Sequence, residues 1–315
     1  MTAGPEFSTH NNPMKKKLSI VFLNYNRLEE TRQTVSQLRE LVANRNDAEV
    51  IAVNNASDDG TGEYLQTQSD WLTLADLKHN SGIAGLNEGF RKAEGKYILV
   101  LDDDSHPCDG VTLDRMIACL DTRPDVGVVA CRIEHPDGQP FRTWHLPKKD
   151  IPGPCMAFVG CGFAIRRELF GRIGWYPGHF FLYQNEMEVA IRVMREGYEI
   201  FYEPSCRVVH RESPAGRGNW RRVYFPTRNT VWIIRRYFPF RESLCMIASR
   251  LCMGLVRAIQ FRELGCYLRA VRDAFGELIE PEILPRQLRR KLVEFRRQNS
   301  LWCQVMVIIR HRSAP

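Results

Sequence analysis

Short apolar runs separated by polar, turn-rich stretches organise the first two thirds of the chain. Residues 18–23, 49–53, 71–77 and 97–101 read as strands, because β-branched runs of this length suit buried parallel strands. Between them Leu28, Val35, Leu38 and Leu41 fall at helical spacing, a second helix is expected near Thr61, and a third covers 86–93. Alternating strand and helix predicts right-handed βαβ units and a mostly parallel sheet flanked by helices. Further on, the pattern predicts a helix over 112–120 and a strand over 127–132. An irregular excursion rich in Pro, Gly, Lys and aromatics then covers 135–154, Trp144 among them, and a glycine-bearing strand covers 157–166. A helix carrying Val189, Ile191, Val193 and Met194 stops at Gly197, and short strands follow over 199–202 and 207–210.

The polar segments between these elements all fall at the carboxyl ends of strands, where open α/β sheets bind ligands. They are Asn24-Tyr25-Asn26-Arg27, the turn from Asn54 through Ser57 and Asp58 to Thr61, and the loop with Asn80, Gly82, Gly85 and Asn87. Glycines permit close backbone approach, and a helix N-terminus favours phosphate; the same loop also reads as an ordinary connection. The 97–101 strand ends in Asp102-Asp103-Asp104. Adjacent carboxylates are costly to bury, so they imply an open cleft and a hard cation, Mg²⁺ or Mn²⁺, holding a diphosphate. The alternative is that they solvate the turn at 105–107. Glu186 and Glu188 open a helix, where carboxylates act as caps or, opposite an acidic metal site, as a general base.

Composition narrows the classes. The ten cysteines form no C-x-x-C pair, which favours reduced thiols in the cytoplasm over disulfides or structural zinc. Residues 1–13 look like a polar leader, and Met14-Lys15-Lys16-Lys17 imitates a signal peptide but runs into the first strand. No uninterrupted apolar span long enough to cross a bilayer is expected. The net charge of +7 is divided, with −6 over residues 1–210 and +13 over 211–315, where Lys291 is the only lysine. In that tail Leu244, Ile247, Leu251, Leu255 and Ile259 make an apolar stripe with Arg250 and Arg257 elsewhere on the wheel. A second apolar patch covers 302–309. These helices suit either peripheral contact with the anionic inner face of a membrane or packing on the catalytic domain or a second subunit. Nucleic acid is disfavoured, since no reader motif is present.

Taken together, these segments resemble an inverting family 2 glycosyltransferase of the GT-A fold, rhamnosyltransferase-like, from about Leu18 to about Arg236. The resemblance rests on Asn24-Tyr25-Asn26, the Asn-Asn-Ala-Ser-Asp-Asp-Gly-Thr turn, the 80–87 loop, the triple aspartate, the glycine strand before Arg166-Arg167, Phe-Phe-Leu-Tyr-x-x-Glu, and Val209-His210. It implies a GT-A catalytic domain over 14–223, with a nucleotide-binding half (14–105) and an acceptor half (106–223), and a basic helical region over 224–315. By resemblance Glu186 is the catalytic base. Asn24, Asn26, Asn54, Ser57, Asp58, Asn80, Gly85, Asn87, Asp102 and Asp103 meet the nucleotide, and Asp104, Asp102 and His210 hold Mn²⁺ or Mg²⁺. Glu188, Trp144, Gly162, Arg211 and Arg217 are candidate contacts to diphosphate or acceptor. The implied donor is a dTDP- or UDP-linked sugar, and the acceptor a glycan or lipid-linked glycan in bacterial surface polysaccharide assembly. Two departures bear on this. Asn54-Asn55 stands where members usually have Asp-Asn, and Asn185-Glu186 where many have Glu-Asp. Rival readings are a nucleotidyltransferase acting on sugar phosphates, which would want a Gly-rich basic loop after the first strand, and a sugar-nucleotide binder without turnover.

Overall fold

The computed structural model describes residues 16–212 and 218–298. Four parallel strands build its first half: β1 (Leu18–Asn24), β2 (Ala48–Asn54), β3 (Thr73–Asp76) and β4 (Tyr97–Asp102). Their register sets Asn24 opposite Asn54, Asn54 opposite Asp76, and Leu23 opposite Asp102, so one polar edge collects all four carboxyl ends. Alternation along each strand divides the core. Leu18, Ile20 and Phe22 face α1 (Leu28–Val42), α2 (Thr61–Gln66) and α4 (Gly110–Thr122). Val21 and Val100 face α3 (Leu86–Lys92), α5 (Arg167–Arg172) and α6 (Asn185–Arg195). Both faces are therefore covered, as a parallel sheet requires.

The second half adds β5 (Ser105–Pro107), β6 (Val126–Glu134), β7 (Gly153–Cys155), β8 (Phe163–Arg166) and β9 (Glu199–His210). The strand order is β3-β2-β1-β4-β8-β6-β9-β5, with β7 also on β9. Antiparallel β8 joins the halves by pairing β4 and β6. Three expectations change here. Residues 105–107 are a strand rather than a turn, because the far end of β9 pairs them. The two short strands over 199–210 are one strand, kept beside β6 by a bulge at Cys131 and Arg132. The excursion over 135–154 ends in β7, and the glycine strand starts only at Phe163, after a turn closed by Gly162 N–H to Val159 O.

Four helices follow: α7 (Asn219–Tyr237), α8 (Phe240–Phe261), α9 (Leu264–Gly276) and α10 (Arg286–Gln298). α7 crosses the expected boundary at 223/224. Its Trp232, Ile233 and Tyr237 pack with Met187 and Ile191 of α6 and Leu292 of α10, so α7 and α10 are docked on the catalytic half. The outer face of α8 has no such cover, leaving Val256 55% and Ile259 61% exposed. Among the described residues α8 is also long and apolar enough to cross a membrane by length and composition, contrary to expectation. The reason is that its stretch from 243 to 260 carries no charge besides Arg250 and Arg257. The leader, Arg217 and the 302–309 patch lie outside the described residues.

Candidate active site

The polar edge is built from interlocking amides. Asn24 is buried, its Nδ2 donating to Val53 O at 3.1 Å and its Oδ1 accepting from Thr31 Oγ1 at 3.0 Å. It is fully buried and braces the edge. Asn26, in the left-handed region at φ 51°, accepts from Asp58 N–H and donates its own N–H to Ser57 Oγ, tying the first two loops together. Asn54 accepts from Ser57 N–H and donates to Asp76 Oδ1 at 2.8 Å. Asp76, exposed at the neighbouring strand end, thus sets a carboxylate beside position 54. Asn80 Oδ1 accepts from Asn55 Nδ2 and Gly82 N–H, and a Cβ on Gly85 would stand 2.8 Å from Asn55 Oδ1. Asn87 belongs elsewhere: it exchanges two hydrogen bonds with the backbone of Tyr176 and holds the loop before α6. Exposed Asp58 and half-buried Ser57 remain within this edge.

The triple aspartate separates into three environments. Asp102 alone is partly exposed to the cleft. Asp103 turns inward, its Oδ1 2.5 Å from Arg27 Nη1 and its carbonyl taking Thr34 Oγ1. Burial pushes its carboxyl up, Arg27 opposes this, and Asp104 and Asp102 add like charge. Asp104 is fully buried, 2.7 Å from Arg27 Nη2 and 3.2 Å from His210 Nε2. Although burial opposes it, His210 and Arg27 hold that carboxyl well below the usual range. Burial opposes charge on His210 too, but Cys161 and Asp104 raise it to about 11, so a cation binding there would have to displace a ring proton. Asp103 therefore anchors the edge rather than contacting nucleotide, and Asp104 backs His210 rather than facing the cleft. Arg27, which sequence reasoning passed over as loop, is the counterion of both, and the β1–β4 pairing was the signal for it.

Asp102, Cys161 and His210 bring ligand atoms within 4.8 Å of one another, a grouping that could hold a cation. Neither buried ring nitrogen of His210 has a hydrogen-bond partner among the described residues, and such buried orphans call for a partner. Carboxylate with imidazole fits Mn²⁺ more closely than all-oxygen Mg²⁺ coordination. Burial raises the Cys161 thiol, keeping it neutral and a weak donor. Three other expected contacts are turned away. Arg211 bonds Glu30, Thr34 and the Asp103 carbonyl, clamping α1 to the β5 end. Glu188 is buried under α7, accepting from Tyr237 Oη at 2.6 Å. A Cβ on Gly162 would meet Ile133 at 2.5 Å, so that glycine serves sheet packing.

Glu186 sits in the first turn of α6, half-buried, on the wall of a cavity of about 460 Å³ shared with Trp144, Tyr183, Arg222 and Arg257. Burial first, and then the charge of Asp102, push its carboxyl up to about 7. The backbone delivering it is constrained: Phe181, Tyr183 and Gln184 have φ of 64°, 62° and 65°, a conformation that must be held from outside. Buried Asn229 of α7 holds it, its amide donating to the carbonyls of Phe180, Leu182 and Tyr183 at 3.1, 2.9 and 3.0 Å. Gly160 leaves room for the Glu186 carboxylate, which a Cβ there would push aside. Neither Asn229 nor Gly160 was singled out from sequence, since each acts through a contact distant in the chain.

A sequence model described as Glycosyl transferase family 2 matches residues 19–189, more than half of the chain. The chain is 24% identical over 158 residues to the O-antigen biosynthesis protein RfbC of Myxococcus xanthus, covering 42% of this chain and 12% of that protein. It is 23% identical over 249 residues to the probable glycosyltransferase YdaM of Bacillus subtilis (strain 168), covering 70% of this chain and 57% of that one. It therefore spans well under two thirds of either relative. A similar solved structure is the mannosyltransferase PcManGT from Pyrobaculum calidifontis in complex with GDP-Man and Mn²⁺. The TM-score is 0.57 at 18% identity, covering 84% of this chain and 89% of that one, and it supports the fold alone.

Proposed function

The chain belongs to glycosyl transferase family 2, and from that premise we propose that it moves a sugar from a nucleoside-diphosphate donor to a hydroxyl of a glycan or lipid-linked acceptor, inverting the anomeric carbon, in polysaccharide assembly. The observation that carries this is Glu186: a carboxylate with proton affinity near neutrality, on a cavity wall, across from the acidic strand end. Placed there, Glu186 accepts the proton of the incoming hydroxyl as its oxygen attacks the sugar from the face opposite the leaving diphosphate. The edge formed by Asn26, Ser57, Asp58 and the Asn54–Asp76 couple receives the nucleoside. Asp76 suits a base with a ring N–H, as uracil and thymine have, in keeping with a UDP- or dTDP-linked donor. Asp102 and His210 would hold Mn²⁺ or Mg²⁺, which supplies charge neutralisation for the leaving diphosphate. His210 and Asp104 keep that ligand set preorganised.

The free thiols of the nine described cysteines suit a reducing compartment. The exposed apolar face of α8 and α9, flanked by arginines, suits docking on an anionic bilayer. Together these support a place at the cytoplasmic face of the cell membrane. Glu186→Gln tests the reading. Transfer should fall at least about a thousandfold, while UDP or dTDP binding by calorimetry stays within about twofold of wild type. Near-normal turnover in that variant removes Glu186 from the role.

A further inference from the structure

The cavity beside Glu186 carries two arginines with no partner. Arg222 of α7 and Arg257 of α8 line it together with Trp144, Tyr183 and Phe261, and neither makes a hydrogen bond or ion pair with any described residue. Glu186 is influenced by Asp102 rather than by either guanidinium. Behind Arg257 the positive charge continues. Arg250 lies two turns earlier on α8, where burial and then the Arg257 charge lower it. Arg296 of α10 is pushed down to about 9 by burial and Arg250, and so is still cationic at pH 7. Its Nη1 is buried with no hydrogen-bond partner among the described residues. Adjacent Phe295 lies 6.0 Å from the ring of Trp144, which places this end of α10 at the same cavity. No carboxylate acts on Arg250 or Arg296.

Arg222 and Arg257 are exposed to solvent on the cavity lining, whereas Arg250 and Arg296 are half-buried, and cations withdrawn from water without a counter-ion are destabilising unless an anion is supplied from outside. None of Asn26, Asn54, Ser57, Asp102 or His210 lines this cavity, so its lining does not overlap the donor edge. We propose that this chamber is an acceptor subsite in which Arg222 and Arg257, backed by Arg250 and Arg296, bind a phosphate group carried by the acceptor. The assignment rests on the glycosyltransferase reading for the word acceptor; the anion site itself rests on the arginines. The planar guanidinium fork matches phosphate oxygens bidentately. Trp144 and Tyr183 offer faces for a neighbouring sugar ring, which would bring its hydroxyl to Glu186.

The test uses the full chain and calorimetric titration with inorganic phosphate, dodecyl phosphate below its micelle concentration, and uncharged dodecyl maltoside. UDP is titrated in parallel. Wild type should bind the phosphates and not the maltoside. Arg222→Gln and Arg257→Gln should each weaken phosphate binding about tenfold and leave UDP binding unchanged. Arg296→Met should shrink the phosphate-induced rise in melting temperature, giving a second readout from a different helix. Tighter binding of dodecyl phosphate assigns the anion to a lipid, and equal binding assigns it to a soluble glycan phosphate; either supports the site. Binding that ignores all three substitutions, or maltoside matching dodecyl phosphate, overturns it. Phosphate binding at the arginines with no nucleotide binding anywhere would leave the anion site standing and sink the glycosyltransferase reading.

Discussion

Glu186 draws its proton affinity from its setting rather than from its residue type. A carboxyl raised to about 7 is protonated at pH 5 and ionised at pH 8, and only the ionised form can take a proton. Turnover at saturating substrates should therefore fall about tenfold per pH unit below about pH 6 and level off above about pH 8. A kcat profile flat from pH 5 to 8 would exclude this carboxyl as base. The same scale shows what could be read in advance. Glu186 and Glu188 were both visible as carboxylates, but residues two apart on a helix point to different faces. Glu188 therefore passes under Tyr237 while Glu186 reaches the cavity. The triple aspartate was legible as an acidic strand end. Its division was not, because only the Arg27 and His210 contacts decide which carboxylates turn inward.

At the scale of elements, the strands and helices of the parallel half follow from local periodicity, since each is buried on a regular face. β5 and β7 were missed because both are three-residue strands created by pairing with β9, about fifty to a hundred residues away. α7 was visible as a helix, yet its function lies in a contact to another element. Its Asn229 amide bonds three carbonyls of the loop whose left-handed residues aim Glu186. Asn229→Ala removes that donor from the Leu182 and Tyr183 carbonyls, while Phe180 O keeps Arg228 and the Leu182 N–H, and should cost about 1–3 kcal/mol in urea unfolding. If the amide also positions the base, kcat should fall more than donor KM rises, and Asn229→Asp should not restore it, because a carboxylate cannot donate to carbonyls. Lost stability with unchanged kcat would confine Asn229 to a structural part.

Across the whole molecule, charge and exposed apolar surface fall on the same end. Residues 211–315 carry +13, and the outer faces of α8 and α9 leave Phe240, Leu244, Ile259 and Leu268 between 54% and 77% exposed. The sequence showed both stripe and charge, but could not show that α7 and α10 take the packing role and leave α8 uncovered. Crossing a bilayer is disfavoured, because Arg250 sits mid-helix at about 2.5–3.5 kcal/mol, and Arg257 lines the cavity beside Glu186. Lying in the interface keeps the arginines near lipid headgroups, where each cation contributes about 1 kcal/mol with anionic lipid. The full chain should therefore sediment with phosphatidylglycerol vesicles, release at high salt, and ignore phosphatidylcholine vesicles. The double variant Ile259→Asp, Leu268→Asp should lose at least about tenfold in vesicle affinity with nucleotide binding intact. A chain that ignores both vesicle types but dimerises with rising concentration, and becomes monomeric in that variant, would assign the face to a second copy instead. A bilayer remains the stronger expectation because each copy would bring the same excess of arginine to the contact, and like-charged faces repel where an anionic surface attracts.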